Sequence, residues 1–152
     1  MSRPWVRVGL VAVAILAVVA IGFAVLRGGG SSAPASLAVG DCIDVPDAAA
    51  IATIPKLPCT EPHDGEVFHV FEVSGAGGTT YPADPDWGTM IYPVCDPAFE
   101  RYTGTAVETR TDIDYVYLVP TEDRWSNGDR RVTCFIQSLD GAPLLRSYRE
   151  ST

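Results

Sequence analysis

The densest group of residues that could do chemistry is His63, Asp64 and Glu66, which follow Cys59 closely in the chain. A histidine with two carboxylates can bind a divalent metal ion or act in acid–base catalysis. The alternative is structural: Asp64 accepts hydrogen bonds from backbone N–H groups of a loop that begins at Pro62, and His63 bonds within it. The spacing is not that of a helical metalloprotease motif, because these residues lie on a loop that enters a predicted strand. We therefore favour the loop-organising role and expect no metal and no cofactor.

A second group combines Trp125 with Arg130 and the neighbouring arginines. An exposed tryptophan beside arginines would be a binding hot spot. A small domain needs large side chains to close its core, so we favour Trp125 folded over a sheet edge. In that arrangement Arg130 would pair with Glu61 or Glu66. No serine or cysteine lies in the sequence context of an activated nucleophile, and we expect no enzymatic activity.

The cysteines are four in number: Cys42, Cys59, Cys95 and Cys134. An even number in an oxidising compartment indicates disulfides, and three pairings are possible. We favour Cys42–Cys59 with Cys95–Cys134, because each bond then joins neighbours in the sequence. In the chain-entropy description these two bonds contribute about 3 and about 4 kcal/mol to stability. The spacings of a redox-active dithiol and of a zinc site are both missing from the sequence.

The uncharged stretch Val8 to Leu26 predicts the cellular compartment in which the rest of the chain lies. A helix of that length rises about 28 Å, close to the hydrocarbon thickness of a bilayer, so a single membrane-spanning helix is predicted. Two arginines precede it and one follows. The positive-inside bias then leaves residues 1–7 in the cytoplasm and the remainder of the chain outside the cell membrane.

The rival interpretation is a cleaved signal peptide with a small-residue site at Ala33-Pro34-Ala35. We favour the uncleaved anchor, because the apolar run is longer than a signal peptide requires. Residues 27–36 then form a Gly/Ser/Pro spacer, and residues 37–150 form one extracytoplasmic domain. The formal net charge of −8 disfavours nucleic acid as a partner. The bilayer is the partner that the anchor implies.

Alternating apolar residues predict strands within residues 37–45, 51–58, 66–73, 113–120 and 130–139. In the third of these, Val67, His69, Phe71 and Val73 are predicted to share one side. Prolines in the second strand place it at a sheet edge. Residues 121–129 are predicted to form a loop with an Asn-Gly turn.

A helix is predicted between Trp87 and Tyr102, because apolar residues recur there at spacings of three and four. Pro93 and Pro97 fall inside this pattern, so we expect the helix to be short, kinked or split, and to end at Gly104. The fold class expected is α+β: a small, mostly antiparallel sheet with one packed helix and two disulfides, after a single membrane helix. One of the two favoured disulfides would join the helix to the sheet.

Several spaced segments of this chain resemble the septum formation domain of actinobacterial membrane and envelope proteins. They are VGDC at 39–42, PCTEPHDGEVF at 58–68, YP at 81–82, FERYTG at 99–104 and PTEDRWSNGDRRVTC at 120–134. The resemblance spans nearly the whole outer domain and implies a place outside a transmembrane helix and a link to cell division. We expect a non-enzymatic interaction or accessory module whose partners are envelope or division proteins. The alternative is a metal-dependent envelope hydrolase or a ligand sensor that uses the loop of His63, Asp64 and Glu66.

Overall fold

The part of the chain that the computed structural model describes comprises residues 31–32, 36–45, 53–73 and 80–151. The predicted cytoplasmic segment and membrane helix, residues 1–26, lie outside these ranges. Within the described ranges, no helix combines the length and the apolar character needed to cross a bilayer.

One antiparallel sheet carries the fold. Its strands are β1 (Ser31–Ser32), β2 (Cys42–Ile43), β3 (Ile54–Leu57), β4 (Gly65–Glu72), β5 (Ile113–Leu118) and β6 (Arg131–Ser138). They are ordered β1-β3-β2-β4-β6-β5, and every neighbouring pair is antiparallel. Together with the helix at residues 84–103, this sheet confirms the predicted α+β class and its mostly antiparallel pairing.

Two strands differ from the sequence expectation. The predicted strand at 37–45 is reduced to the two residues of β2, because the chain turns at Gly40, whose φ of 93° favours glycine. β3 was expected at an edge, yet it lies between β2 and β1. β1 belongs to the predicted spacer and pairs Ser31 with Pro55 and Ser32 with Ile54.

A bulge interrupts the predicted alternation of β4. The pairing with β6 shifts register between Val67 and His69, so Phe68 is the extra residue on the bulged strand. Phe68 and Phe71 consequently pack in the same core cluster, whereas Val67 packs in a different one. The prediction that Val67 shares a side with Phe71 is wrong for this reason.

Helix α1 (Asp84–Thr103) is continuous over 20 residues, although it contains Pro93 and Pro97. The prediction of a short or split helix is therefore wrong. Both prolines are exposed, so the carbonyl groups that lose an N–H partner face water. The opposite side is held by packing, which contributes more to helix stability in a protein than local propensity does.

The end of α1 agrees with the sequence. Gly104 adopts a left-handed conformation with φ of 73°, and its N–H donates to the carbonyl oxygen of Glu100. This is the glycine C-cap that satisfies one of the last helical carbonyls.

The sheet has a different core cluster on each side. The helix face is the side covered by α1, and its cluster consists of the following buried residues: Phe68, Val73, Trp87, Ile91, Cys95, Ala98, Phe99, Tyr102, Ile113, Trp125, Val132, Cys134, Ile136 and Leu144. The outer face is the opposite side, where the buried cluster consists of Leu37, Ile43, Ile54, Val67 and Phe135. The predicted alternation of β5 is confirmed, since Tyr115 and Tyr117 pack on the helix face and Val116 and Leu118 on the outer face.

The predicted loop at 121–129 contains a second helix, α2 (Glu122–Ser126). Thr121 caps it by accepting a hydrogen bond from the N–H of Arg124 at 3.4 Å. The predicted turn follows at Asn127-Gly128, where Gly128 has φ of 91°.

Candidate functional site

The structure does not bring His63, Asp64 and Glu66 together as one ligand set. Among the described residues, the one group of three potential metal ligands whose atoms lie within 4.8 Å of one another is Cys42, Cys59 and Glu66. The two sulfur atoms of that group are joined in a disulfide, so neither can ligate a metal as a thiolate. The three residues of the loop have separate partners.

His63 connects its loop to the C-terminal segment. Its N–H donates to the carbonyl oxygen of Leu144 at 3.1 Å, and the N–H of Leu144 donates back at 2.7 Å. The imidazole is 1 % exposed, with Nδ1 2.7 Å from the carbonyl oxygen of Glu61. A carbonyl can only accept, so Nδ1 donates in this contact, and Nε2 has no hydrogen-bond partner in the described structure.

Asp64 connects the same loop to β2. Its N–H donates to the carbonyl oxygen of Ile43 at 3.0 Å, and its Oδ2 accepts from the N–H of Val45 at 3.0 Å. The side chain is exposed. This carboxylate organises the loop locally, and it faces solvent rather than the other two residues.

Gly65 separates the two carboxylates and permits a close approach of β6. A Cβ atom at this position would lie 2.6 Å from a ring carbon of Phe135 and 3.2 Å from the carbonyl oxygen of Ile136. The Phe135 ring thus occupies the space that a side chain would need. Glycine here serves packing between strands rather than turn formation.

Glu66 is the central residue of a buried polar site that we call the Glu66 site: Glu66, Tyr102, Ser147 and Tyr148. Its carboxylate is 0 % exposed. Oε1 accepts from the hydroxyl of Tyr102 at 2.7 Å and from that of Ser147 at 2.5 Å, and Oε2 accepts from the N–H of Tyr148 at 2.7 Å. A buried carboxylate without partners is costly, and these three donors replace the water that it has lost.

The environment of the Glu66 site keeps Tyr102 protonated. Burial, followed by the hydrogen bond to Glu66 and the charge of Glu66, raises the pKa of Tyr102 well above its ordinary value. The guanidinium of Arg149 lies 5.1 Å from the centre of the Tyr102 ring and opposes this rise. Tyr102 is therefore a fixed donor to Glu66, and the site joins α1, β4 and the C-terminal segment.

Sequence reasoning found Glu66 but missed its partners. They lie 36, 81 and 82 residues away in the chain, and no periodicity or motif connects positions so far apart.

Comparison with protein families identifies the chain. Residues 32–149 match the septum formation family. The chain belongs to the septum formation family. This confirms the resemblance that the spaced segments indicated. Comparison with curated proteins and with solved structures finds no match.

In this septum formation domain, Trp125 is a core residue. It is 1 % exposed, and its ring makes edge-to-face contacts with Trp87 at 5.4 Å and Tyr81 at 6.1 Å between ring centres. A side chain so buried offers no surface to a partner, so the hot-spot alternative does not apply to it.

Arg130 of the septum formation domain packs on Trp125. Its Cζ lies 3.7 Å from the centre of the indole ring, and Nη1 donates to the carbonyl oxygen of Trp125 at 2.7 Å. The expected pairing with Glu61 or Glu66 is not among the contacts of the described residues, where the Glu66 carboxylate is bound by other donors.

Both disulfides of the domain have the favoured pairing. Cys42–Cys59 spans 17 residues and fastens β2 to the turn after β3. Cys95–Cys134 spans 39 residues and joins α1 to β6, with both cysteines fully buried. The predicted disulfide between the helix and the sheet is confirmed.

Proposed function

We propose that this septum formation protein is a membrane-anchored, extracytoplasmic and non-enzymatic accessory module that binds other envelope or division proteins. The observation that carries the proposal is the family match, which covers residues 32–149 and links the chain to septum formation. The uncharged stretch from Val8 to Leu26 supports the anchor, and it leaves the matched region on one side of the bilayer.

The disulfides support the extracytoplasmic location. Disulfides persist in oxidising compartments and are rare in the reducing cytosol. Two of them in one small domain, each closing a loop of the fold, suit a protein that works outside the cell membrane.

The partners of the candidate catalytic groups support a non-enzymatic role. Glu66 is enclosed by three donors that belong to the fold itself, and His63 is buried against Glu61 and Leu144. These contacts use the side chains that acid–base chemistry would need.

The topology can be tested by fusing reporters after Thr152 in the native cells. A reporter active only outside the membrane should be active, and one that matures only in the cytosol should be silent. The reverse pattern would overturn the extracytoplasmic location. As a control, replacing two central residues of the Val8–Leu26 stretch with arginine should abolish the outer signal.

The role can be tested by depleting the protein and measuring septum frequency and placement. We expect fewer or misplaced septa, restored by the wild-type chain and not by a chain that lacks Val8 to Leu26. A crosslinker in intact cells should capture division proteins with the wild type. Normal septa after complete depletion, together with crosslinked products that contain no envelope protein, would contradict the proposal.

A further inference from the structure

A cavity of about 350 Å³ opens on the outer face of the sheet, on the side away from α1. Its lining includes Val45, Asp64, Val116, Phe135, Gln137 and Ser138. The volume is at the lower end of the range for small-molecule sites, about 300–1,000 Å³. The Glu66 site takes no part in this cavity, which is a separate feature of the fold.

The fixed polar groups of the cavity are hydrogen-bond acceptors. Oδ2 of Asp64 accepts from Val45, and Oδ1 has no hydrogen-bond partner among the described residues. The hydroxyl of Ser138 donates to Oδ1 of Asp140 at 2.5 Å, so only its lone pairs remain for a ligand. The same Asp140 oxygen accepts from the N–H of Ala142 at 3.0 Å, which fixes its position.

The hydrogen bond from Ser138 and that from the backbone of Ala142 lower the pKa of Asp140 below its ordinary value. Asp140 therefore stays ionised near neutral pH, and the Ser138 proton stays directed toward it. This keeps the Ser138 hydroxyl in its acceptor orientation.

The other residues that line the cavity supply an amide group and an apolar surface. The half-buried amide of Gln137 makes no hydrogen bond within the described structure, so its oxygen can accept from a ligand and its NH2 group can donate to one. Among the described residues that line the cavity there is no lysine, arginine or histidine. Val45, Val116 and Phe135 form an apolar wall beside the acceptors.

We propose that this cavity binds a primary ammonium group carried on a short alkyl chain. An ammonium offers three donors and no acceptor, which matches the fixed acceptors Asp64 and Ser138, and the Gln137 amide can present its oxygen to the same group. The Asp64 carboxylate supplies the charge-assisted hydrogen bond, Gln137 and Ser138 supply the others, and the alkyl chain packs on the apolar wall. The formal net charge of −8 favours a cation over an anion as the ligand. The inference goes beyond the role in septum formation and does not depend on it.

The test is a titration of the full chain in detergent with n-butylammonium chloride, followed by amide chemical shifts in NMR spectra. We expect saturable shifts at Val45, Asp64, Gln137 and Ser138, with a dissociation constant of about a millimolar. At the same ionic strength, 1-butanol and sodium butyrate should bind at least about ten-fold more weakly, because neither replaces the charge-assisted contact.

Two matched variants distinguish binding at this cavity from a nonspecific attraction of the cation to the acidic protein. Asp64→Asn should weaken butylammonium binding about ten-fold with an otherwise unchanged spectrum. Glu72→Gln removes the same charge at the far end of β4, from an exposed side chain, and should leave binding unchanged. No saturable shift, equal binding of butanol or butyrate, or equal weakening by both variants would each overturn the proposal.

Discussion

The two faces of the sheet differ in what they contribute to the molecule. The helix face holds fourteen buried residues in one cluster, a disulfide and the enclosed Glu66 carboxylate, whereas five buried residues form the cluster of the outer face. Asp64, two positions before Glu66, lines an open cavity on the outer face. The difference teaches that most of the stabilising packing lies on the helix face, whereas the outer face keeps the Asp64 carboxylate exposed to solvent.

The largest expected effect comes from removing the disulfide of the helix face. The double variant Cys95→Ala/Cys134→Ala should lower the free energy of unfolding by about 4–5 kcal/mol, because it opens a longer loop and empties buried space. Cys42→Ala/Cys59→Ala opens a shorter loop and should cost about 3 kcal/mol. Urea denaturation of the oxidised proteins measures both, and a larger cost for the second variant would contradict the dependence on loop length and burial.

A matched pair of phenylalanines tests packing on the two faces. Phe99→Ala, on the helix face, should cost about 4 kcal/mol, since its neighbours enclose the ring completely. Phe135→Ala should cost about 3 kcal/mol, because that ring borders an open cavity into which water can enter. Equal m-values in urea would show that both variants unfold from similarly compact states. A cost for Phe135→Ala above that for Phe99→Ala would refute the difference.

A matched pair of carboxylates tests the buried polar site. Glu66→Gln should cost about 2–3 kcal/mol, because an amide cannot accept from all three donors that surround it. Asp64→Asn should change stability by less than about 0.5 kcal/mol, since the side chain is exposed and its amide oxygen can still accept from Val45. Thermal and urea unfolding measure both.

Tyr102→Phe provides the control for Glu66→Gln. It removes one donor and leaves the carboxylate in place, so we expect a loss of about 2 kcal/mol. If the double variant loses as much as the sum of the two single losses, the Tyr102–Glu66 hydrogen bond carries no coupling energy. That additive result would contradict the geometry described for the Glu66 site.

The smallest expected effect is a loss of folding stability at alkaline pH. Burial, then hydrogen bonds to Glu66 and Asp96, raise the pKa values of Tyr102 and Tyr115 above the ordinary 10.0. The unfolded chain ionises these groups first, so their contribution to stability is complete below pH 10 and is lost as the pH rises further. At pH 11 the loss should be at most about 1 kcal/mol for each tyrosine, because both groups are partly screened by solvent.

Tyrosinate absorbance during an alkaline titration measures this effect. Two tyrosines of the folded wild type should titrate only when the protein unfolds, and Tyr102→Phe should leave one. Reversible ionisation of all six tyrosines at their ordinary pH in the folded state would contradict the burial of these two hydroxyls.

The sequence predicted a large part of the fold through local signals. The alternation in β5 and β6, the apolar stripe of α1 and the glycine that ends it are properties of neighbouring residues. The favoured disulfide pairing was also correct, although three pairings were open. The site was predicted less well, because the donors to Glu66 lie far away in the chain and are ordinary hydroxyl and backbone groups.

The sequence by itself determined the features that neighbouring residues set: the alternation in the strands, the apolar stripe of the helix and the glycines at the turns. Its spaced segments also indicated the family. The tertiary structure decided that α1 continues through Pro93 and Pro97, that a bulge redirects Phe68, and that Asp64 and Glu66 have opposite surroundings. The physical reason is that packing and burial depend on residues distant in the chain. A buried face can hold a helix together despite two prolines, and distant donors can make the burial of a carboxylate favourable.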